Sequence, residues 1–467
     1  MTLGTDRELP ADAVRRAIRE SHFLKSVAAA RGEVGEGREL RALTHEEIAT
    51  LKAMHNGAED WSRVRVVKDF NPHKVVGSYF SGDIELGSFR EKVHLDDGVS
   101  LGSGIYNSDL SNVRVGDNVF IGNVSLLANY VIGDGAVIQG CGRVVCTGRT
   151  LFGNGKKISL GLETPGRETA LYAEITCEIA AQICAHRKHD TIAAYESAIG
   201  DYVAMAASQV GIIGPGAVVQ NTPRVVDTYI GPRAEIDSAT AIENSTILSG
   251  PDEVTIVGTG SVVRDSIIQW GSRVETHALV EHSVCCEYSF VDSHGIVRAS
   301  LIGPNSGVAA GECLHSLIGP FVGFHHQALL ISAFWPEGKG NIGYGANIGS
   351  NHTGKAPDQE IWPGEGLFFG LGVNVRFPAD FSSSPYSVIA AGVSTLPQRV
   401  EMPFSLITIR SEMIDGISPA FNELLPGWVL SDNIFAIRRN ERKYAVRNKA
   451  RRSPCGFEVF RPDTVDL

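Results

Sequence analysis

Hydrophobic positions in the middle of the chain recur at neither the helical nor the simple strand period. They return every six residues. Val115-Gly116-Asp117-Asn118-Val119-Phe120 runs directly into Ile121-Gly122-Asn123-Val124-Ser125-Leu126. The unit opens on an aliphatic residue, usually followed by glycine, with a small or apolar residue in fifth place. It returns from Ile132, Ile213 and Ile230, and as a tandem pair from Ile342 and Ile348. A second column is independent of glycine: Thr228, Ser245, Ser266, Ser283, Ser300 and Ser316 stand 16 to 21 residues apart, each followed by mostly aliphatic residues. Three hexads make one turn of a triangular coil, and each inward aliphatic residue is buried only by the coils above and below. The pattern predicts a stacked β-coil over 76–160 and 206–395.

Helical periodicity flanks and interrupts the coils. Val14, Ile18 and Phe23 form an apolar stripe within 10–30, and Thr44-His45-Glu46-Glu47 has capping-box spacing before Ile48, Leu51 and Met54. Residues 1–75 are therefore expected to be a helical cap on the exposed coil end. Leu171, Ile175, Ile179 and Ile183 recur every four residues and predict one long helix over 167–187, with Glu168 in its first turn, inside an insertion at 161–205. The final segment, 396–467, changes character. Eight cations (Arg438, Arg439, Arg442, Lys443, Arg447, Lys449, Arg451 and Arg452) lie within fifteen residues beside one acid, Glu441. That asymmetry suits a phosphate-bearing ligand or a solvated helix face.

Composition narrows the choices. There are 51 glycines in 467 residues but only 20 prolines, and 43% hydrophobic residues. This excludes collagen and a disordered chain, and fits a core with many tight corners. The net charge of −11 argues against general nucleic-acid binding. No apolar run reaches membrane-span length, and 1–10 shows no secretory signal. The eight cysteines contain no Cys-x-x-Cys pair, and Cys177 and Cys184 read as core residues. A cytoplasmic chain without membrane or nucleic-acid partners is expected.

Candidate chemistry gathers over 321–385, where the hexad phase looks broken and glycine, tryptophan and charge are dense. The segment holds His325, His326, Asn347, Asn351, His352, Lys355 and Asp358. Its glycines, from Gly323 and Gly338 to Gly370 and Gly372, are less well explained by the repeat. Loops leaving a rigid scaffold are where sites are built, and a histidine there can take a proton from a hydroxyl or amine.

The hexads resemble the hexapeptide-repeat superfamily, which implies a mainly β, left-handed parallel β-helix with an N-terminal helical cap, a helical insertion and a mixed C-terminal extension. The superfamily's acyltransferases use a histidine base against an acyl-CoA thioester in a cleft between subunits. Its γ-class carbonic anhydrases place metal-binding histidines on successive coils. Here His277 and His294 share one column and His282 and His315 another, although Ala241 stands where a further ligand would be. Sugar-nucleotide pyrophosphorylases also carry such coils, but the glycine-rich run from Gly35 follows a helix and fewer than eighty residues precede the coils.

Several motifs together resemble an uncharacterised bacterial family of this fold, domain of unknown function 4954. They include Glu59-Asp60-Trp61-Ser62, Gly104-Ile105-Tyr106-Asn107-Ser108, Leu127-Ala128-Asn129-Tyr130, Gly166-Arg167-Glu168, the run from Asn341 to Gly366, and Phe377-Pro378-Ala379-Asp380-Phe381. The resemblance brings no substrate. The expected site comprises His325, His326 or His352 as base. Asn107, Glu163, Arg167, Glu168, Asn347, Asn351, Lys355 and Asp358 would bind substrate. The expected activity is acyl transfer from acyl-CoA, as co-substrate, to a nucleotide-linked or phosphorylated small anion in a homo-oligomer, trimer or dimer. A γ-carbonic-anhydrase-like lyase or hydrolase, a sugar-nucleotide enzyme and a non-catalytic scaffold are the alternatives.

Overall fold

The computed structural model describes residues 8–33, 38–95, 98–163, 166, 168–185, 188–350 and 360–467. They form two compact units, one made of Arg16–Gly155 and Ile199–Gly271, the other of Met1–Arg15, Lys156–Ala198 and Ser272–Leu467. Both are built on stacked coils of a left-handed parallel β-helix.

The helices α1 (Pro10–Glu20) and α2 (His22–Ala30) break at Ser21, whose hydroxyl accepts from the Leu24 amide. Phe23 of α2 packs edge-on against Phe152 and Tyr229. The predicted capping box is present: Thr44 and Glu47 cap each other at the start of α3 (His45–Ala53). The coil strands pair in parallel, Phe120–Gly122 on Gly104–Tyr106 and on Val137–Gln139. The chain then leaves the stack and returns without loss of register. Val137–Gln139 pairs directly with Val218–Gln220, and Tyr130–Ile132 with Gly211–Ile213. Glycine is required where coils touch: a Cβ on Gly133 would stand 2.5 Å from the Pro215 amide nitrogen.

The Ser/Thr column is the backbone's own hydrogen-bond ladder. In the second unit the Ser283 hydroxyl donates to the Glu281 carbonyl and accepts the Ser300 amide, and Ser300 accepts the Ser316 amide. Ser316 repeats this, donating to Leu314 and accepting from Ala333. Each preceding residue has positive φ, +48° at His282, +45° at Ala299 and +48° at His315. A corner amide turned inward has no sheet partner, so a buried hydroxyl satisfies it.

One sequence expectation is corrected here. The stretch 167–187 is not one helix. Glu168–Ala170 is a strand paired antiparallel with Lys157–Ser159, and helix starts only at α4 (Cys177–Ala185), followed by α5 (His189–Ala206). Leu171 and Ile175 are buried, but from a loop; a four-residue apolar spacing does not by itself require helix. The coils continue through 321–385, where the hexad phase is interrupted: Gly323 pairs with Asn341, Asn341 with Phe368 and Phe368 with Val388, while the register of Asn347–Ser350 on its partner shifts between Ile348 and Ser350. Gly338, Gly366 and Gly372 there have φ of +57°, +68° and +64°, which makes them corner glycines of the same repeat.

The end of the chain folds back on the coils. Helix α6 (Trp428–Asp432) leads into α7 (Ile434–Arg447), whose buried Ile437 joins Tyr386, Phe404, Val429 and Val459 in one cluster. Cys177 and Cys184 are buried as expected. Burial pushes the thiols of Cys146, Cys285 and Cys313 up to about 12, which leaves them unreactive at neutral pH. No helix among the described residues is long and apolar enough to cross a membrane.

Candidate functional site

One outer face of the second unit combines histidine, missing side chains and cationic surroundings. Its outward column, fixed by strand register, runs Arg273, Phe290, Gly307, Gly323, Asn341, Phe368 and Val388. Neighbouring inward residues Val291, Val308, Phe324 and Ile342 fill the core. The Phe290 ring covers Gly307, so the shallow trough is confined to Gly323, between Phe290 and Asn341; Phe290 and Phe368 are 40% and 36% exposed. Phe290 leans over Gly307, where any Cβ would collide with its ring.

His325 borders the trough. The strand Gly323–Phe324 ends beside it, and its backbone amide donates to the Ile342 carbonyl at 3.0 Å. Its side chain is exposed, and Nε2 lies 3.0 Å from Asn341 Oδ1. An Nε2–H donated to the Asn341 oxygen would leave Nδ1 as the acceptor nitrogen of the ring. The exposed His326 ring stands 6.3 Å from it, and Tyr344 OH donates to Gln327 Oε1 at 3.2 Å nearby.

The opposite edge is the corner column Tyr288, Asn305, Phe321 and Lys339, all with positive φ. Helix α7 and the residues after it descend this column. Tyr444 packs on Phe321 at 4.9 Å and donates to the Lys339 carbonyl at 2.7 Å. Asn305 donates to Asn448 Oδ1, the Lys449 amide donates to Asn305 Oδ1, and Arg452 pairs with the buried Glu287 at 2.7 Å. An open groove of about 570 Å³ also follows α7, lined by Phe435, Arg438, Arg439, Arg442, Lys443, Val446 and Arg447. No coil residue lines that groove, so the histidines and the trough are the better place to seek chemistry.

The other expected site residues are distributed as follows. Asn107 belongs to the first unit, where it turns a corner at φ +47° and bonds Asn123 at 3.3 Å. Glu163 and Glu168 are exposed, and Glu168 accepts the Gly166 amide at 3.1 Å. Asn347 is exposed and in register with Asn374. Arg167, Asn351, His352, Lys355 and Asp358 lie outside the described residues. His277 and His294 stack face to face at 5.2 Å, and both, like His282 and His315, are left-handed corner residues. Among the described residues no group of three or more His, Cys, Asp or Glu side chains is placed to hold a metal. Phe290 was not singled out by motif, and only coil register shows that Asn341 stands beside His325.

Comparisons with known proteins add the following. An uncharacterized protein of Treponema pallidum (strain Nichols) is 26% identical over 442 residues, covering 92% of this chain. The chain spans only 60% of that relative's length. A crystal structure described as "putative acetyltransferase from Desulfovibrio desulfuricans G20" aligns over 96% of this chain and 93% of that one at 10% identity. Its TM-score is 0.20, too low to support any argument. The model of the family described as domain of unknown function DUF4954 matches residues 40–449, and the chain belongs to that family.

Proposed function

We propose that this β-helix is a transferase that moves an acyl group from acyl-CoA to a hydroxyl or amine of a nucleotide-linked or other phosphorylated small molecule. The observation that carries the reading is the His325–Asn341 pair beside a glycine-floored trough. His325 Nδ1 takes the acceptor's proton as its oxygen or nitrogen attacks the thioester carbonyl. The tetrahedral intermediate collapses, the carbon–sulfur bond breaks, and the thiolate leaves with the proton from the imidazolium. Asn341 Nδ2, whose amide oxygen is taken by His325, is the donor for the developing oxyanion. His326 is the second candidate base. The His325 side chain is exposed, so a homo-oligomer in which a second copy covers it completes the reading.

The test is release of free CoA thiol from acetyl- and longer acyl-CoA in the presence of a pool of nucleotide sugars. Wild type is expected to turn over, with His325→Ala slower by about 100-fold or more and its melting temperature unchanged. No thiol release from wild type on any acceptor removes the acyl-transfer reading.

A further inference from the structure

The charge of this chain is segregated. Arg438–Arg452 holds +7, while the remaining residues carry −18. Within α7, Arg438 approaches Glu441 at 3.4 Å, whereas Arg439, Arg442, Lys443 and Arg447 have no acidic partner among the described residues. Their positions follow from helix geometry at about 100° per residue. Ile437 and Tyr444 face the coils. The Arg438 and Glu441 side faces the returning tail: Glu441 accepts the Val459 amide at 2.9 Å, and Arg438 lies 5.6 Å from the Phe460 ring. That tail passes Cys177, whose thiol pKa is raised chiefly by burial and further by nearby Glu337 and Cys455. Cys177 in turn contacts Ile318 and Pro336, on the face that adjoins the trough across the corner column.

Lys443 and Arg447 fall on the other flank of α7, on the trough's side, whereas Arg439, like Arg442, points about 150° away from the coil-facing line of Ile437 and Tyr444. Burial, and then Arg447 and Arg439, push the Lys443 ammonium below its ordinary value, as expected of cations crowded without a counter-ion. From Phe321, under Tyr444, to His325 is four extended residues, about 13 Å at ~3.3 Å each. A nucleoside diphosphate has that reach, and the exposed Phe290 ring offers its base a stacking surface.

We propose that the face between α7 and His325 binds a nucleoside diphosphate or an ester of one, its diphosphate held by Lys443 and Arg447 and its esterified end carried to His325. This names the ligand class for the site of the proposed transferase and rests on that reading. It predicts selectivity by position as well as by charge. Arg442 lies on the outer face of the same helix, so Arg442→Glu makes the same change in net charge away from the trough.

The experiment is calorimetric titration of the full chain with ADP at low ionic strength. Lys443→Glu and Arg447→Glu are each expected to weaken binding about tenfold or more, and Arg442→Glu to leave it within about twofold. Equal weakening by Arg442→Glu, or no ADP binding by wild type at millimolar concentration, overturns the assignment. The two readings fail separately. ADP binding lost in K443E and R447E, without CoA release from any acyl-CoA, supports this site and removes acyl transfer. CoA release indifferent to both substitutions supports acyl transfer and removes this site.

Discussion

Ser316 shows what a single atom does in this fold. Its side chain is fully buried, its hydroxyl donates to Leu314 at 2.8 Å, and it accepts the Ala333 amide at 3.1 Å. Ser316→Ala strands a buried N–H and should cost about 1–3 kcal/mol, read as a lower urea midpoint at unchanged slope. A loss below about 0.5 kcal/mol, the size of an ordinary surface change, would mean the ladder is decorative. This column was legible in the sequence because its spacing survives small insertions. The role of the histidines was not. His277, His282, His294 and His315 all adopt positive φ, a conformation histidine tolerates better than most residues. A corner preference and a ligand preference leave the same letter in the chain.

At the scale of elements, the hexads announced the coils, but pairings across long separations were invisible. Glu365 is the clearest case. It accepts from Lys339 Nζ at 2.5 Å, Tyr386 OH at 2.7 Å and Arg461 Nη1 at 3.0 Å, and so ties the tail to the coils. Nothing in the letters around Glu365 points 96 residues ahead. The helix expected over 167–187 failed for a related reason: strand pairing of Glu168–Ala170 with Lys157–Ser159 outweighed local periodicity. Burial pushes the Glu365 carboxyl up, but Arg461, Lys339 and Tyr386 more than offset this and hold it below its usual value. A depressed folded value means the stabilisation is fully present above the unfolded carboxylate pKa and is lost as pH falls through the folded one. Limited proteolysis of the tail should therefore begin only on acidification below the ordinary carboxylate range. In Glu365→Gln, where two cations lose their counter-charge, cleavage is expected already at neutral pH; identical pH profiles for the two proteins would refute the latch.

For the molecule as a whole, the feature that organises function is the meeting of a rigid repeat with a cationic return segment. The coils supply fixed backbone, Gly323 leaves room beside His325, and α7 supplies charge along one edge. The sequence displayed the repeat and the basic cluster separately, as two properties of distant segments. Only the fold sets Tyr444 on Phe321, four residues from His325, and so joins them. The most direct measurement is an X-ray structure of the protein with CoA bound. The expected density has the diphosphate on the Lys443 and Arg447 flank and the thiol within hydrogen-bonding reach of His325. CoA lying along the outer groove of α7, with its sulfur remote from His325 and His326, would contradict both the ligand site and the chemistry proposed for it.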